Sequence, residues 1–183
     1  MRTEVKVWDP LIRLFHWGLV TAFAVSYFTQ EEYYGMHLIA GYAVAGLLVF
    51  RLFWGFAGPR HARFSDFVYR PSTVLTYLRS LVSGDASRFV GHNPAGGLMV
   101  LALVAVLMVV ALSGIALDAA ENRAGPLAHT RLFYYTDLIE HVHALSTNVA
   151  LVLVVLHLIG VIHASLTHRE NLVKSMLTGR KRA

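Results

Sequence analysis

Apolar residues fill four long stretches of the chain, and the segments between them hold nearly all of its charge. The third stretch is the clearest, for Leu98 to Leu117 is twenty residues without a charged side chain. A helix of that length rises about 30 Å, the thickness of a bilayer's hydrocarbon core. Asn93 and Pro94 come just before it, a capping residue and one preorganised for a first helical turn, so His92-Asn93-Pro94 predicts the entry of a span over about 95–117. The fourth stretch, about 142–167, is broken only by histidines and small polar residues. Two earlier stretches are shorter or charge-interrupted: 14–30 carries His16, and 36–56 carries His37 and Arg51, with Glu31 and Glu32 in the short turn between them.

Pro71 to Ser83 is too short to span, yet Val74, Leu75, Leu78, Leu81 and Val82 recur at helical spacing opposite polar residues, and Gly84 follows. This predicts a helix on the membrane surface or packed beneath the spans. Leu172, Val173, Met176 and Leu177 make a similar stripe in the tail, and Arg180-Lys181-Arg182 is expected to meet anionic lipid. The expected fold is therefore all-α, one integral membrane domain over 1–183, a four-helix bundle with a cytoplasmic interfacial helix between its second and third spans.

Composition supports a bilayer as solvent, since 56% hydrophobic and 15% charged residues are too apolar for an ordinary soluble chain of 183 residues. The net charge of +5 comes from loops and not from a nucleic-acid face. The N-terminal segment has three basic residues (Arg2, Lys6, Arg13), the Arg51–Arg88 region six and the tail five, against only Arg123 and Arg131 on the other side. This asymmetry places both termini in the cytoplasm. No basic leader with a small-residue cleavage site precedes the first span, so no cleaved signal peptide is expected. The absence of cysteine excludes disulfides, iron–sulfur clusters and covalent haem attachment through C-x-x-C-H.

The ten histidines carry the candidate chemistry. His143 and His157 are fourteen residues apart, about 40° short of four helical turns, so they share a face and lie about 21 Å apart along the axis. Two sites are implied. His37 begins a helix entering from the same side as His143, and His16 lies as deep in the first span as His157 in the fourth, which pairs His37 with His143 and His16 with His157. Facing imidazoles without a carboxylate or thiolate suit haem iron better than zinc. Singly, each would read as a buried helix-joining histidine; four at two matching depths read as ligands. His141 and His163 point to other faces, His168 lies beyond the membrane, and His61 and His129 fall in loops. Arg51, fourteen residues after His37, falls beside the inner pair as a propionate partner or a snorkelling lipid contact. Gly41, one turn from His37, leaves room for a porphyrin edge or for close helix packing.

Phe15-His16-Trp17, His37-Leu38-Ile39-Ala40-Gly41, Arg51-Leu52-Phe53-Trp54-Gly55, Gly91-His92-Asn93-Pro94 and the His143–His157 spacing followed by His168-Arg169-Glu170-Asn171 occur in this order over the whole chain. In these the chain resembles the prokaryotic cytochrome b561 family, which includes the cytochrome b subunits of nickel–iron hydrogenases. The resemblance implies two haems b ligated in the pairs above, exchange of electrons with quinone, and the bacterial inner membrane. The connection from Asp118 to His141 looks individual to this protein.

The expected function is electron transfer between the quinone pool and a periplasmic redox partner, such as a hydrogenase-like subunit or a cytochrome c. Six acidic residues outside (Glu31, Glu32, Asp118, Glu121, Asp137, Glu140) against two arginines would steer a basic partner. A stand-alone superoxide:quinone oxidoreductase is a second reading. A haem or metal transporter is a third, disfavoured because the spans hold no Asp or Glu and no internal repeat. For the quinone, either His92, Asn93 and Arg88 or His141 and Asp137 offer polar groups.

Overall fold

The computed structural model describes residues 4–29 and 32–183. Arg2, Gln30 and Glu31, which entered the charge counts and the end of the first span, lie outside the described residues. Helix α1 (Pro10–Phe28) starts where the Asp9 carboxylate accepts hydrogen bonds from the amides of Leu11 and Ile12 at 3.0 and 3.1 Å, with Pro10 in the first turn. Helix α2 (Tyr34–Ala57) and the one-turn α3 (Phe64–Phe67) lead to α4 (Pro71–Ser83), which opens on Pro71 and ends on Gly84 in the left-handed conformation. Helix α5 (Pro94–Asn122) is capped by Asn93, whose Oδ1 accepts from the Gly96 amide at 2.7 Å. After α6 (Thr136–Thr167), Asn171 caps the short α7 (Leu172–Thr178). Strands β1 (Glu4–Lys6) and β2 (Arg180–Arg182) pair antiparallel, a two-stranded addition to an otherwise helical chain.

Four helical segments, Pro10–Phe28, Tyr34–Ala57, Pro94–Asn122 and Leu132–Thr167, are long and apolar enough to cross a bilayer, so this is a multi-pass membrane protein. Their outward faces agree: Phe28, Ile39, Val49, Phe53, Leu145 and Leu166 are all more than 60% exposed, which water would penalise and lipid does not. Helix α5 runs on to Asn122 and α6 begins at Thr136, so the connection from Asp118 to His141 is helical at both ends.

The residues gather into two compact units. One holds the chain up to His16, Arg51–Ala102 and Leu153–Ala183; the other holds Trp17–Phe50 and Leu103–Val152. In the second unit Val44 and Leu48 of α2, Leu107 and Ala111 of α5 and Ala150 of α6 form a core, with Leu19, Ala22 and Phe23 of α1 packed on it.

The first unit is closed by its two chain ends. Lys181 is only 6% exposed: its ammonium donates to the Phe89 carbonyl at 3.3 Å and lies 3.8 Å from Glu170. Glu170 also pairs with Arg88 at 3.1 Å and accepts from the Arg182 amide at 3.0 Å, and Arg88 donates to the Arg182 carbonyl. The expectation that all three closing cations meet lipid therefore fails at Lys181, which strand pairing turns inward; Arg180 remains exposed, 3.6 Å from Glu4. Burial pushes the Glu170 carboxyl up, but the hydrogen bonds from Arg88 and the Arg182 amide, with the charges of Lys181 and Arg88, outweigh it and hold it below the usual carboxylate range. His92 is wedged between Trp8 and Phe67, at centroid distances of 4.8 and 4.7 Å. Burial first, then the charges of Arg51 and Lys181, lowers it from 6.5 to about 3.

Two outcomes follow for protein in detergent. Glu170→Gln leaves Arg88 and Lys181 without their anion and costs on the order of 2 kcal/mol, less than for a fully buried pair because Arg88 keeps part of its guanidinium in solvent, read as a lower thermal midpoint. His92 is held neutral in the folded state, so the stability it contributes is present above 6.5 and is lost as pH falls from there toward about 3. The midpoint of the parent protein should drop between pH 7 and 5 more steeply than that of His92→Phe.

Candidate functional site

Helices α2 and α6 bring His37 and His143 together in the second unit, their ring centroids 6.3 Å apart and their planes at 78°. Each ring is tied back through Nδ1. His37 Nδ1 lies 2.8 Å from the Ser26 carbonyl and 3.3 Å from its hydroxyl. His143 Nδ1 lies 3.1 Å from both the Val110 carbonyl and the Ser113 hydroxyl, and that hydroxyl donates in turn to the Val109 carbonyl at 2.7 Å. A carbonyl only accepts, so in both residues Nδ1 carries the proton and Nε2 keeps the lone pair. This is the arrangement in which an imidazole binds a metal through Nε2.

Both rings line a cavity of about 440 Å³, with Gly41, Gly114, Asp118 and Glu140 also on its wall. At about 2 Å per metal–imidazole bond, two rings with centroids 6.3 Å apart would have room to hold one metal ion between them. Gly114 keeps the His143 ring in place: a Cβ there would come within 3.0 Å of its Cε1. At Gly41 the nearest atom to an added Cβ is the Ser26 hydroxyl at 4.0 Å, so only cavity space would receive it.

His16 and His157 both fall in the first unit, half-buried, and are near enough for the charge of one to bear on the other. Arg51 belongs to the same unit and is 2% exposed, with Nη1 donating to the Ala62 carbonyl at 3.0 Å and its guanidinium 4.8 and 5.6 Å from the Phe64 and Phe67 rings. Gly55 makes this box possible, for a Cβ there would overlap the Phe64 ring at 2.0 Å. The remaining histidines go elsewhere. His61 pairs with Asp66 at 2.8 Å, His141 donates to the Asp137 carbonyl at 2.6 Å on the surface, and His129 and His163 are exposed.

Sequence reasoning missed the residues that position these two histidines, Ser26, Val110, Ser113 and Gly114. The small pair Ser113-Gly114 within a bulky aliphatic run was the available signal. It also counted Asp118 among the acidic residues of the outer connection that would steer a partner, whereas Asp118 is 4% exposed and accepts from Tyr34 and Tyr42, each at 3.4 Å, and from Asn122 at 3.3 Å.

The profile of the prokaryotic cytochrome b561 family matches residues 7–179. The chain is also 23% identical over 218 aligned positions to a probable Ni/Fe-hydrogenase B-type cytochrome subunit from Rhizobium leguminosarum bv. viciae, covering 98% of this chain and 90% of that one. No solved structure matches. For a haem-binding protein of this kind, Gly114→Val should push His143 aside and lower the haem content of the purified protein. Gly46→Val, on an exposed face with nothing within 4 Å, should leave it unchanged.

Proposed function

Because the chain belongs to the prokaryotic cytochrome b561 family, whose members use haem b for electron transfer in the membrane, we propose that it carries two haems b and moves electrons between the quinone pool and a periplasmic redox partner. The observation that carries this reading is the His37–His143 pair, spaced for axial ligation and locked through Nδ1 to two carbonyls. These residues would hold the outer haem; His16 and His157 would hold the inner one. The iron supplies the one-electron redox change, and the protein supplies ligands, orientation and exclusion of water.

Several further assignments belong to the same reading. His143 and His157 both belong to helix α6. Arg51, with Nη1 committed to Ala62, offers its other N–H groups to a propionate of the inner haem. Gly41 leaves the outer cavity wall open to a porphyrin edge. The basic residues of the loops set both termini in the cytoplasm of a bacterial inner membrane. Helix α4 then lies at the cytoplasmic interface: Val74 and Tyr77 are buried, while Leu75, Leu78 and Val82 are 56%, 40% and 92% exposed and meet lipid. Glu32, Glu121, Asp137 and Glu140 are exposed and would face a basic partner such as a cytochrome c; a hydrogenase-like subunit is the partner type suggested by the Rhizobium relative's name.

Reduced-minus-oxidised spectra and a pyridine haemochrome assay on detergent-purified protein test the reading. Two low-spin haems b per chain are expected. His37→Ala and His143→Ala should remove the same haem, and His16→Ala and His157→Ala the other. A single haem in the parent protein, or a pairing in which His37 and His157 variants lose the same signal, would sink the ligand assignment.

A further inference from the structure

Helix α6 is longer than a bilayer's hydrocarbon layer. Its 32 residues rise about 48 Å, against about 30 Å for that layer, and the 3-10 turn Leu132–Tyr135 precedes it. One end must therefore stand in the headgroup layer or in the water beyond, and the side chains at the start of α6 decide which. Leu138, Val142, Leu145, Val149 and Val152 are all exposed and, at about 100° per residue, fall within an arc of about 80° that holds no polar residue. Leu145 is among the outward side chains that this membrane protein turns to lipid, and the stripe runs on from it without a break to Leu138, 63% exposed. Glu140, also exposed, lies on the opposite face of the helix. Beyond the stripe Tyr134 and Tyr135 are 71% and 59% exposed, and the ring of Phe133 beside them carries the Arg123 guanidinium at 4.2 Å from its centroid. Tyr33, in the turn before α2, is a third exposed tyrosine of the same unit.

We infer that the start of α6 is a lipid-binding surface: phospholipid acyl chains cover the stripe from Leu138 onward, and Tyr33, Tyr134 and Tyr135 stand at headgroup level. A tyrosine suits that level because its ring is apolar and its hydroxyl finds partners among headgroups and water. A soluble protein docking here would have to cover a purely aliphatic stripe that is continuous with a lipid-facing surface, and the acidic Glu140 that could steer it is on the other face of the helix. Phospholipid needs no such steering, since the stripe offers acyl chains the same surface that the rest of the span does. The inference rests on the membrane fold and is independent of the haem assignment. His143, nine residues after Tyr134, then lies about 13 Å below headgroup level along the helix.

The chain has no cysteine, so each single-cysteine variant takes one nitroxide label. Leu138→Cys, Tyr134→Cys, Leu145→Cys and Glu140→Cys, each purified as the full chain and placed in nanodiscs of phosphatidylethanolamine and phosphatidylglycerol, are compared by power saturation. Molecular oxygen, which concentrates among acyl chains, and a nickel chelate, which stays in water, are the two probes. Each reading is taken against the same label without probe, so any iron in the sample contributes equally to both. The oxygen-to-nickel ratio at Leu138 should match that at Leu145 and exceed that at Glu140 by about tenfold, with Tyr134 between them. If Leu138→Cys does not fold, Val142→Cys reads the same stripe. A ratio at Leu138 as low as at Glu140 would put the start of α6 in water, and poor access of both probes there would mean that protein, such as a second copy of the chain, covers it. Either outcome overturns the inference, as does a Tyr134 ratio equal to that of Glu140.

Discussion

Two backbone carbonyls, those of Ser26 and Val110, decide what His37 and His143 can do. Inside a bilayer a helix satisfies its own carbonyls, and a carbonyl accepts a second hydrogen bond through its remaining lone pair. By accepting a hydrogen bond from Nδ1 of a histidine on a neighbouring helix, each carbonyl fixes the ring's rotation and its tautomer and leaves the lone pair on Nε2. Ser26 and Ser113 add a hydroxyl at the same nitrogen. Without these contacts an imidazole at this depth would be a costly polar group in search of a partner. With them that polar group is satisfied, and at His143 the glycine at 114 leaves the ring its space.

The terminal unit solves a different problem with charge. It must hold Arg51, His92, Lys181, Arg88 and Glu170 close together, and it does so by giving each cation a partner of known type: a carbonyl and two phenyl rings for Arg51, a shared carboxylate for Arg88 and Lys181. His92 stays neutral between two aromatic rings, so the cluster does not gain another positive charge. The two chain ends supply the closing contacts, with β1 and β2 paired and Gly179 placed where a Cβ would strike the Trp8 carbonyl at 2.6 Å. The tail is thus part of the fold of that unit as well as a source of basic charge.

What the sequence made legible was what depends on one helix at a time. Length and apolarity marked the four long helices, Asn93-Pro94 marked the start of α5, and the fourteen-residue spacing put His143 and His157 on one face. Contacts between elements left no such trace. Lys181 reads as one basic residue in a run of three, and only its pairing register opposite Val5 turns it inward. Asp118 follows an uncharged run and looked like the first residue of a polar loop, because the rule that ends a span at its first charge ignores a neighbouring helix able to supply Tyr34 and Tyr42. Arg51 was legible as a cation on the histidine face, but its enclosure by Phe64 and Phe67 depends on Gly55 and on a one-turn helix too short to carry a periodic signal.

Taken together, these placements give the protein two electrostatic environments of opposite design. In the terminal unit positive charges are buried and each is answered within hydrogen-bonding reach by a carboxylate, a carbonyl or an aromatic face. In the second unit, among the described residues, the buried Asp118 carboxylate is met by the neutral donors Tyr34, Tyr42 and Asn122. A group that is fully compensated responds weakly to a change of charge nearby, since its proton affinity is already dominated by its partners; a group compensated only by dipoles responds strongly.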